Sequence, residues 1–122
     1  MDSLDTTKAS VLSQVQALVT ECARSGWGAS EAEPVYKCAA IRAADFIRAL
    51  PEGVPLPELA PEPDGSISLD WIRSRNRLLS LSVGTSDRLP YAWVDGAENG
   101  HAVVFFDGKN IPPDILERIK GC

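Results

Sequence analysis

The sequence contains little of the material from which catalytic and metal sites are built. It has a single histidine, His101, and three cysteines at spacings that match no metal-binding motif. Zinc sites combine several His and Cys ligands at characteristic spacings, so the common zinc motifs are excluded. No nucleophile motif, phosphate-binding loop or dinucleotide-binding fingerprint is present either. We therefore do not expect an enzyme, and we assign no catalytic residue, no metal ligand and no cofactor.

His101 has few neighbours with which it could carry out acid–base chemistry. The nearest carboxylates in the sequence are Asp95 and Glu98, in the loop that precedes it. The alternative, which we favour, is an exposed imidazole at the start of a strand. His101 is therefore not assigned to a site.

The three cysteines form no recognisable framework. Cys22 falls on the apolar stripe of a predicted helix and Cys38 near the edge of the stripe of the next, while Cys122 is the last residue. Because a free cysteine packs as a small hydrophobic residue, we expect buried free thiols. A redox pair between Cys22 and Cys38 is the alternative.

Excess charge and long hydrophobic runs are also scarce. The net charge is −5, and segment 51–65, with four carboxylates and no Lys or Arg, contributes −4 of it. No broad basic face is therefore available for nucleic acid. No run approaches the ~18 consecutive apolar residues of a membrane span. The polar N-terminus is unlike a secretory signal, so we expect a cytoplasmic protein without a membrane partner.

The first half of the chain has the pattern of two helices. A 3.6-residue apolar period predicts a helix over residues 4–25 and another over residues 30–50. Ser30 and Glu33 have the spacing of a capping box at the start of the second helix, and Pro51 follows its end. The apolar stripes consist of Val11, Leu12, Val15, Leu18, Val19 and Cys22 in the first helix, and of Val35, Ala39, Ala43, Phe46 and Leu50 in the second.

Two residues in this half are candidates for contact with another molecule. Ile41 projects onto the polar face of the second helix, among Lys37, Asp45 and Arg48. An isolated exposed isoleucine is common on protein surfaces, so its role as a contact residue is one of two interpretations. Trp27, held between two glycines in the loop "GWG", is the second candidate.

Segment 51–65 predicts a rigid connector. It holds five of the nine prolines, which favours an extended, polyproline-like conformation. Its apolar residues would pin it against the domain. Pro63-Asp64-Gly65 has the chemistry of a turn, in which the Asp accepts local amide hydrogen bonds and the Gly takes a positive φ. The alternative, a cation site at Glu62 and Asp64, is disfavoured because prolines stiffen the backbone.

After Gly65 the apolar period changes to two, which predicts strands. Short turns between them favour an antiparallel meander of four strands. Pro90 suggests a strand start or an exposed edge. The loosest turn is predicted at "DGAENGH". The segment "AVVFF" is apolar on both faces, so the fourth strand is expected to be central or covered on both sides. The predicted strands are 66–71, 79–83, 89–94 and 102–106, and "IPPDILERIK" predicts a closing helix with Ile115, Leu116 and Ile119 facing inward.

These elements give an α+β fold. Two N-terminal helices, a proline-rich strap, a four-stranded antiparallel β-meander and a short C-terminal helix are expected to form a single domain over residues 1–122. Its parts are a helical half, 1–50, a packed acidic connector, 51–65, and the meander with the last helix, 66–122. Helices should cover one sheet face and leave the other wet.

Three arginines surround a predicted hairpin end. Arg73, Arg75 and Arg77 could together grip phosphate groups, with Trp71 stacking a base beside them. The other interpretation is a solvated turn whose charges discourage edge-to-edge aggregation. Whether these arginines are free or paired with Asp70 and Asp87 should distinguish the two.

The order of these motifs resembles a set of small bacterial proteins of unknown function. The resemblance covers residues 27–119: "GWG", a helix that ends in Leu-Pro, a proline strap, "PDGSISLDW" and a closing "IPP" helix. In the family the loop more usually has Trp-Asp-Gly, whereas here Trp27 is followed by Gly28 and Ala29. The resemblance implies the fold and no established activity.

The sequence favours a protein–protein interaction module as its function. The partner would be another protein, as in a two-protein bacterial system, or a second copy of the chain. The alternative is a weak binder of nucleic acid or a small ligand through Arg73, Arg75 and Arg77. An enzyme of unknown type ranks third, because catalytic motifs are lacking.

Overall fold

The structure, a computed structural model, describes residues 8–21, 37–51 and 53–121. Three helices and five strands lie within these ranges. They are α1 (Lys8–Glu21), α2 (Lys37–Ala49), β1 (Glu58–Pro61), β2 (Ile67–Ser74), β3 (Arg77–Val83), β4 (Arg88–Asp95), β5 (Glu98–Phe105) and α3 (Pro113–Gly121). The predicted α+β class with an antiparallel sheet is confirmed. The loop around Trp27, the capping box at Ser30, and the residues Cys22 and Cys122 lie outside the described residues.

The two N-terminal helices pack against each other and against the sheet. The buried residues of α1 include Val11 and Val15, as its stripe predicts, and α2 buries Ala39, Ala43, Phe46 and Leu50 together with Ile47. Lys8, at the start of α1, donates from its Nζ to the carbonyl oxygens of Arg48 and Leu50. Because the last carbonyls of a helix lack partners within it, this lysine caps α2.

All five strands form one antiparallel sheet in the order β1-β2-β3-β4-β5. The expectation of four strands was wrong by one, because part of the proline strap is a strand. In β1, Leu59 lies opposite Leu69 and Pro61 opposite Ile67. Prolines obscure this strand in the sequence, but they are tolerated here because β1 is an edge strand. The connector is therefore part of the sheet.

The turn from β1 to β2 has the predicted chemistry. The backbone N–H of Ser66 donates to the Asp64 carboxylate at 2.9 Å, and Gly65 has a φ of 94°. The Glu62 N–H donates to the Ser66 carbonyl at 2.9 Å, which closes the hairpin. Asp64 therefore serves the turn, as proposed from "PDG".

Strand alternation divides the sheet into two faces. The inner face, against the helices, carries Ile67, Leu69, Trp71, Leu79, Leu81, Val83, Leu89, Tyr91, Trp93 and Val104. Nine of these ten side chains are buried, and Trp93 is half-buried. The outer face carries the intervening residues, and those of β2 and β3 are mostly polar: Ser68, Asp70, Ser80 and Ser82. The prediction of one covered and one wet face is thus confirmed for β2 and β3.

The prediction that the fourth strand of the meander is central was wrong. This strand, β5, is the last of the sheet, and its Phe105 side chain is 66 % exposed. Apolar residues on both faces usually mean cover on both sides, but here only Val104 and the following Phe106 are buried.

The loop before β5 is also tighter than predicted: Gly96 and Ala97 alone connect Asp95 to Glu98, with Gly96 at a φ of 66°.

Pro90 marks no edge of the whole sheet, contrary to the expectation. It lies in β4, opposite Val103 of β5. The ladder between β3 and β4, however, ends at the pair of Leu81 and Tyr91, and Tyr91 is the residue that directly follows Pro90. Pro90 therefore stands where β4 has lost its β3 neighbour, so its missing N–H interrupts no ladder.

An aromatic cluster joins the helices to the sheet. Phe46 of α2 packs edge-on against Trp71, with ring centroids 6.3 Å apart, and against Phe106, at 5.2 Å. The indole Nε1 of Trp71 donates to the Pro55 carbonyl at 2.9 Å, which fastens the strap.

The last helix, α3, buries Ile115 and Ile119 as predicted, whereas Leu116 is only half-buried.

Cys38 is exposed, which contradicts the expectation of a buried thiol. It lies on α2 one position before the buried Ala39, and the helix turns it away from the core. Its position near the edge of the apolar stripe was a weak indication of burial, because one residue rotates a helix by about 100°.

We expect Trp71→Phe to lower the free energy of unfolding by about 1–3 kcal/mol. The substitution keeps an aromatic ring beside Phe46 but removes the Nε1 donor to Pro55 and part of the buried volume. Urea denaturation measures the change, with Ile72→Val on the exposed neighbour as the control. Equal stability of the two variants would contradict the role of Trp71 in fastening the strap.

Asp107 provides a pH-dependent contact in the turn before α3. The backbone N–H groups of Asn110 and Lys109 donate to its carboxylate, both at 2.8 Å, and hold its pKa below the ordinary value of 3.8. Because the folded pKa is depressed, the carboxylate stabilises the fold above the unfolded pKa, and this contribution is lost as the pH falls through the folded pKa. An NMR titration should give Asp107 a pKa below 3.8, and an ordinary value would contradict the turn geometry.

Candidate interaction surface

Ile41 lies where the sequence predicts it. Its side chain is 60 % exposed on α2, opposite the buried face. Charged neighbours on the same helix are paired: Arg42 contacts Asp87 at 2.5 Å, and Arg48 contacts Asp45 at 3.4 Å. Ile41 is therefore a single exposed apolar side chain among satisfied charges.

The three arginines at the hairpin end have different surroundings. The hairpin from β2 to β3 turns at Arg75 and Asn76, and the register shifts between Ile72 and Ser74. Arg77 forms an ion pair with Asp95 at 3.4 Å. Arg73 lines a shallow cleft of about 250 Å³ beside Ile72, whereas Arg77 lines a different cleft. Arg77 is thus engaged by a carboxylate, and its surroundings differ from those of Arg73.

The carboxylates considered as partners of the arginines bind elsewhere. Asp70 accepts hydrogen bonds from the hydroxyls of Ser68 and Ser80, both at 2.6 Å, and Asp87 pairs with Arg42. Among the described residues, Arg73 and Arg75 have no ion-pair partner. These two arginines therefore keep their charge available at the surface.

Trp71 is not available to stack a base. Its side chain is 3 % exposed, within the core, and its one donor is bound to Pro55. This removes the aromatic platform that a nucleic-acid site at the hairpin would use.

An apolar patch lies on the outer face next to the hairpin. Ile72, Leu78 and Val94 are cross-strand neighbours on β2, β3 and β4, and we call these three residues the outer-face patch. Ile72 is 56 % exposed, and the other two are half-buried. The sequence contained a signal for it, because Ile72 occupies the face that Ser68 and Asp70 keep polar.

The centre of the outer face is a network of serines and carboxylates. Besides the bonds to Asp70, the hydroxyl of Ser82 donates to Glu62 at 2.6 Å, which ties β3 to the residue after β1. Ser68 and Ser80 lie 3.2 Å apart. These hydroxyls are engaged by carboxylates, so the network holds the strands of this face in register.

His101 lies on the same face but outside this network. It is exposed, as expected, but it lies within β5 and not at the start of a strand. Ala92 of β4 separates it from Ser80 of β3. Asp95 and Glu98 face each other at the end of the hairpin, on the opposite face of the sheet. The structure therefore brings neither carboxylate to His101.

A cleft between α3 and the sheet was not anticipated from the sequence. Its volume is about 470 Å³, and its lining includes Trp93, Tyr91 and Arg77. The Cζ atom of the Arg118 guanidinium lies 3.6 Å from the centroid of the Trp93 ring. The centroids of the Tyr91 and Trp93 rings are 5.9 Å apart. This arrangement depends on how α3 docks, which no local pattern encodes.

Neither a metal centre nor a membrane span is indicated in the described parts of the chain. Within residues 8–21, 37–51 and 53–121 no three His, Cys, Asp or Glu side chains are grouped as metal ligands. None of the helices described has both the length and the apolar character that crossing a membrane requires. Comparison with protein-family models, curated proteins and solved structures gave no match.

Gly100 should be essential for the position of Trp93. A Cβ built on Gly100 would overlap the Trp93 indole, which lies over it across the β4–β5 pair. We expect Gly100→Ala to displace the indole from Arg118 and to lower stability by about 1–3 kcal/mol. The Trp93 indole NMR signal and urea denaturation measure both effects, with Asn99→Ala as the control. An unshifted signal in Gly100→Ala would contradict the close packing.

Proposed function

We propose that this chain is a protein-binding module that docks a partner on the outer-face patch. The observation that carries the proposal is Ile72, 56 % exposed on the outer face beside the polar centre formed by Ser68 and Asp70. Leu78 and Val94 extend the apolar surface across two further strands. Such a rigid sheet surface is typical of a contact that gains its energy from apolar burial at a small centre.

Arginine at the rim indicates the charge of the partner. Arg75 lies at the hairpin turn and Arg73 beside Ile72, and neither is neutralised by a described carboxylate. Arginine is enriched in interfaces because its planar head binds carboxylates in a bidentate way. The partner surface would therefore have an apolar centre with Asp or Glu around it.

The biological setting follows from the resemblance to small bacterial proteins of unknown function. We propose a cytoplasmic protein that acts as one member of a two-protein system, without catalytic activity of its own. The acidic partner is most simply sought in the product of a neighbouring gene.

The proposal predicts that one of two exposed isoleucines matters for binding. Ile72→Ser should weaken the complex with the partner at least tenfold, about 1.4 kcal/mol or more, because a buried anchor is lost. Ile41→Ser, the same change at an isolated site on α2, should alter affinity less than twofold. Isothermal titration with a partner that co-purifies at a defined ratio measures both.

Two outcomes would overturn this assignment. Loss of binding in Ile41→Ser with retention in Ile72→Ser would place the contact on α2. The absence of any stoichiometric partner in the native host would contradict a two-protein system.

Arg75→Glu should slow association and reduce its dependence on salt, because rim charges act mainly on the rate of encounter.

A second candidate function is weak binding of nucleic acid through Arg73 and Arg75. It is supported by the two unpaired guanidinium groups, but Arg77 is engaged by Asp95 and Trp71 is buried. A gel shift at low salt separates the two functions, because phosphate binding is strongest there. A shift that Arg73→Glu and Arg75→Glu abolish, and Ile72→Ser does not, would favour nucleic acid.

A further inference from the structure

The two edges of the sheet differ in a way that the outer-face patch does not explain. The β1 edge is four residues long, ends in Pro61 and follows Pro57 directly. Proline, short length and charge are the means by which proteins prevent an edge from pairing. The β5 edge is eight residues long, contains no proline and no lysine, and pairs with no described segment on its outer side.

The register shows which backbone groups of β5 have no partner among the described residues. Asp95 and Glu98 flank a two-residue turn and therefore form a hydrogen-bonded pair. Even-numbered residues of β5 consequently point their N–H and C=O groups towards β4. The Phe106 N–H, which donates to the Asp87 carbonyl at 3.0 Å, has the same parity. The groups of Asn99, His101, Val103 and Phe105 must then point outward, away from the sheet.

We propose that this free edge pairs antiparallel with the β5 strand of a second copy of the chain. In the register centred on Ala102, Asn99 lies opposite Phe105 of the second copy and His101 opposite Val103. Each residue whose backbone groups point outward then lies opposite another such residue of the second copy. The four pairs exchange two hydrogen bonds each, which gives about eight backbone hydrogen bonds across the two-fold axis. The two sheets become one sheet of ten strands.

The chemistry of the segment favours a second copy as the occupant. Residues 99–105 contain no Asp, Glu, Lys or Arg. Pairing of this segment with its copy therefore places no two carboxylates, and no two Lys or Arg side chains, opposite each other. The acidic segment that contributes −4 of the net charge leads into β1 and its turn, at the far end of the sheet. Two copies can therefore approach through β5 with their strongest like charges kept apart.

Side chains at this edge agree with the pairing. Ala102, at the centre of the register, is exposed and small, so two copies of it can face each other at the short distance of a non-hydrogen-bonded pair. Phe105, 66 % exposed on the outer face, gains a neighbour in Asn99 of the second copy. The pairing is separate from the outer-face patch and does not depend on whether that patch binds a partner.

The first test removes one outward donor. Val103 faces Pro90 within the chain, so Val103→Pro breaks no hydrogen bond to β4 but deletes an N–H of the free edge. Sedimentation and light scattering should show the wild-type chain at twice its 13.1 kDa mass at ~100 µM, Val103→Pro at 13.1 kDa, and the control Val103→Thr as a dimer. Circular dichroism checks that the variants are folded.

The second test addresses the register and does not require a proline. Ala102→Lys and Ala102→Glu each place like charges across the two-fold axis, so each variant alone should be monomeric. A mixture of the two should form a dimer again, because opposite charges now face each other. This result decides the proposal even if Val103→Pro fails to fold.

Three outcomes contradict the proposal. A wild-type chain that stays monomeric up to ~1 mM, near the weak limit of useful affinity, would show that β5 does not self-associate. A dimer that survives Ala102→Lys would use another surface, and failure of the Lys and Glu variants to pair in the mixture would refute the register. Loss of dimerisation with partner binding intact would separate this inference from the proposed function.

Discussion

The edge-on contact of Phe46 with Trp71 and Phe106 holds the three parts of the molecule together. Phe46 belongs to α2, Trp71 to β2, and Phe106 follows the last strand, so the cluster joins positions that are distant in the chain. Trp71 also fastens the strap at Pro55. Because the described helices lie against the inner face, the hydrophobic effect is concentrated there. In the described part of the chain, the outer face and the β5 edge stay open to other contacts.

The outer face combines a polar centre with an apolar margin. Ser68 and Ser80 satisfy Asp70, so the middle of the face gains order from hydrogen bonds that are already made. A partner would gain little by displacing them, because each broken bond must be replaced. Ile72 offers the opposite balance, since covering it removes apolar surface from water and breaks no bond. The proposed site of contact therefore lies where the fold leaves apolar surface exposed to water.

Alternation in the sequence predicted the inner faces of β2 and β3 because each of these strands has one wet face. It failed for β1, where prolines mask the pattern, and for β5, since an apolar run looks the same in a central strand and in an open edge. Helical projection predicted the exposure of Ile41. The ion pair of Arg77 depends on Asp95 of a different strand, and no local pattern contains it.

The proposed pairing through β5 would give the acidic strap a role as the complement of the open edge. A sheet with two open edges would add copies without limit and form a fibre. Here the β1 edge carries Glu58 and ends at Pro61, so it resists the addition of another strand. Pairing through β5 is isologous, which means that it consumes the open edge of both copies. An assembly built from one open and one blocked edge would therefore close at two chains, with Glu58 and Pro61 opposing the addition of a third.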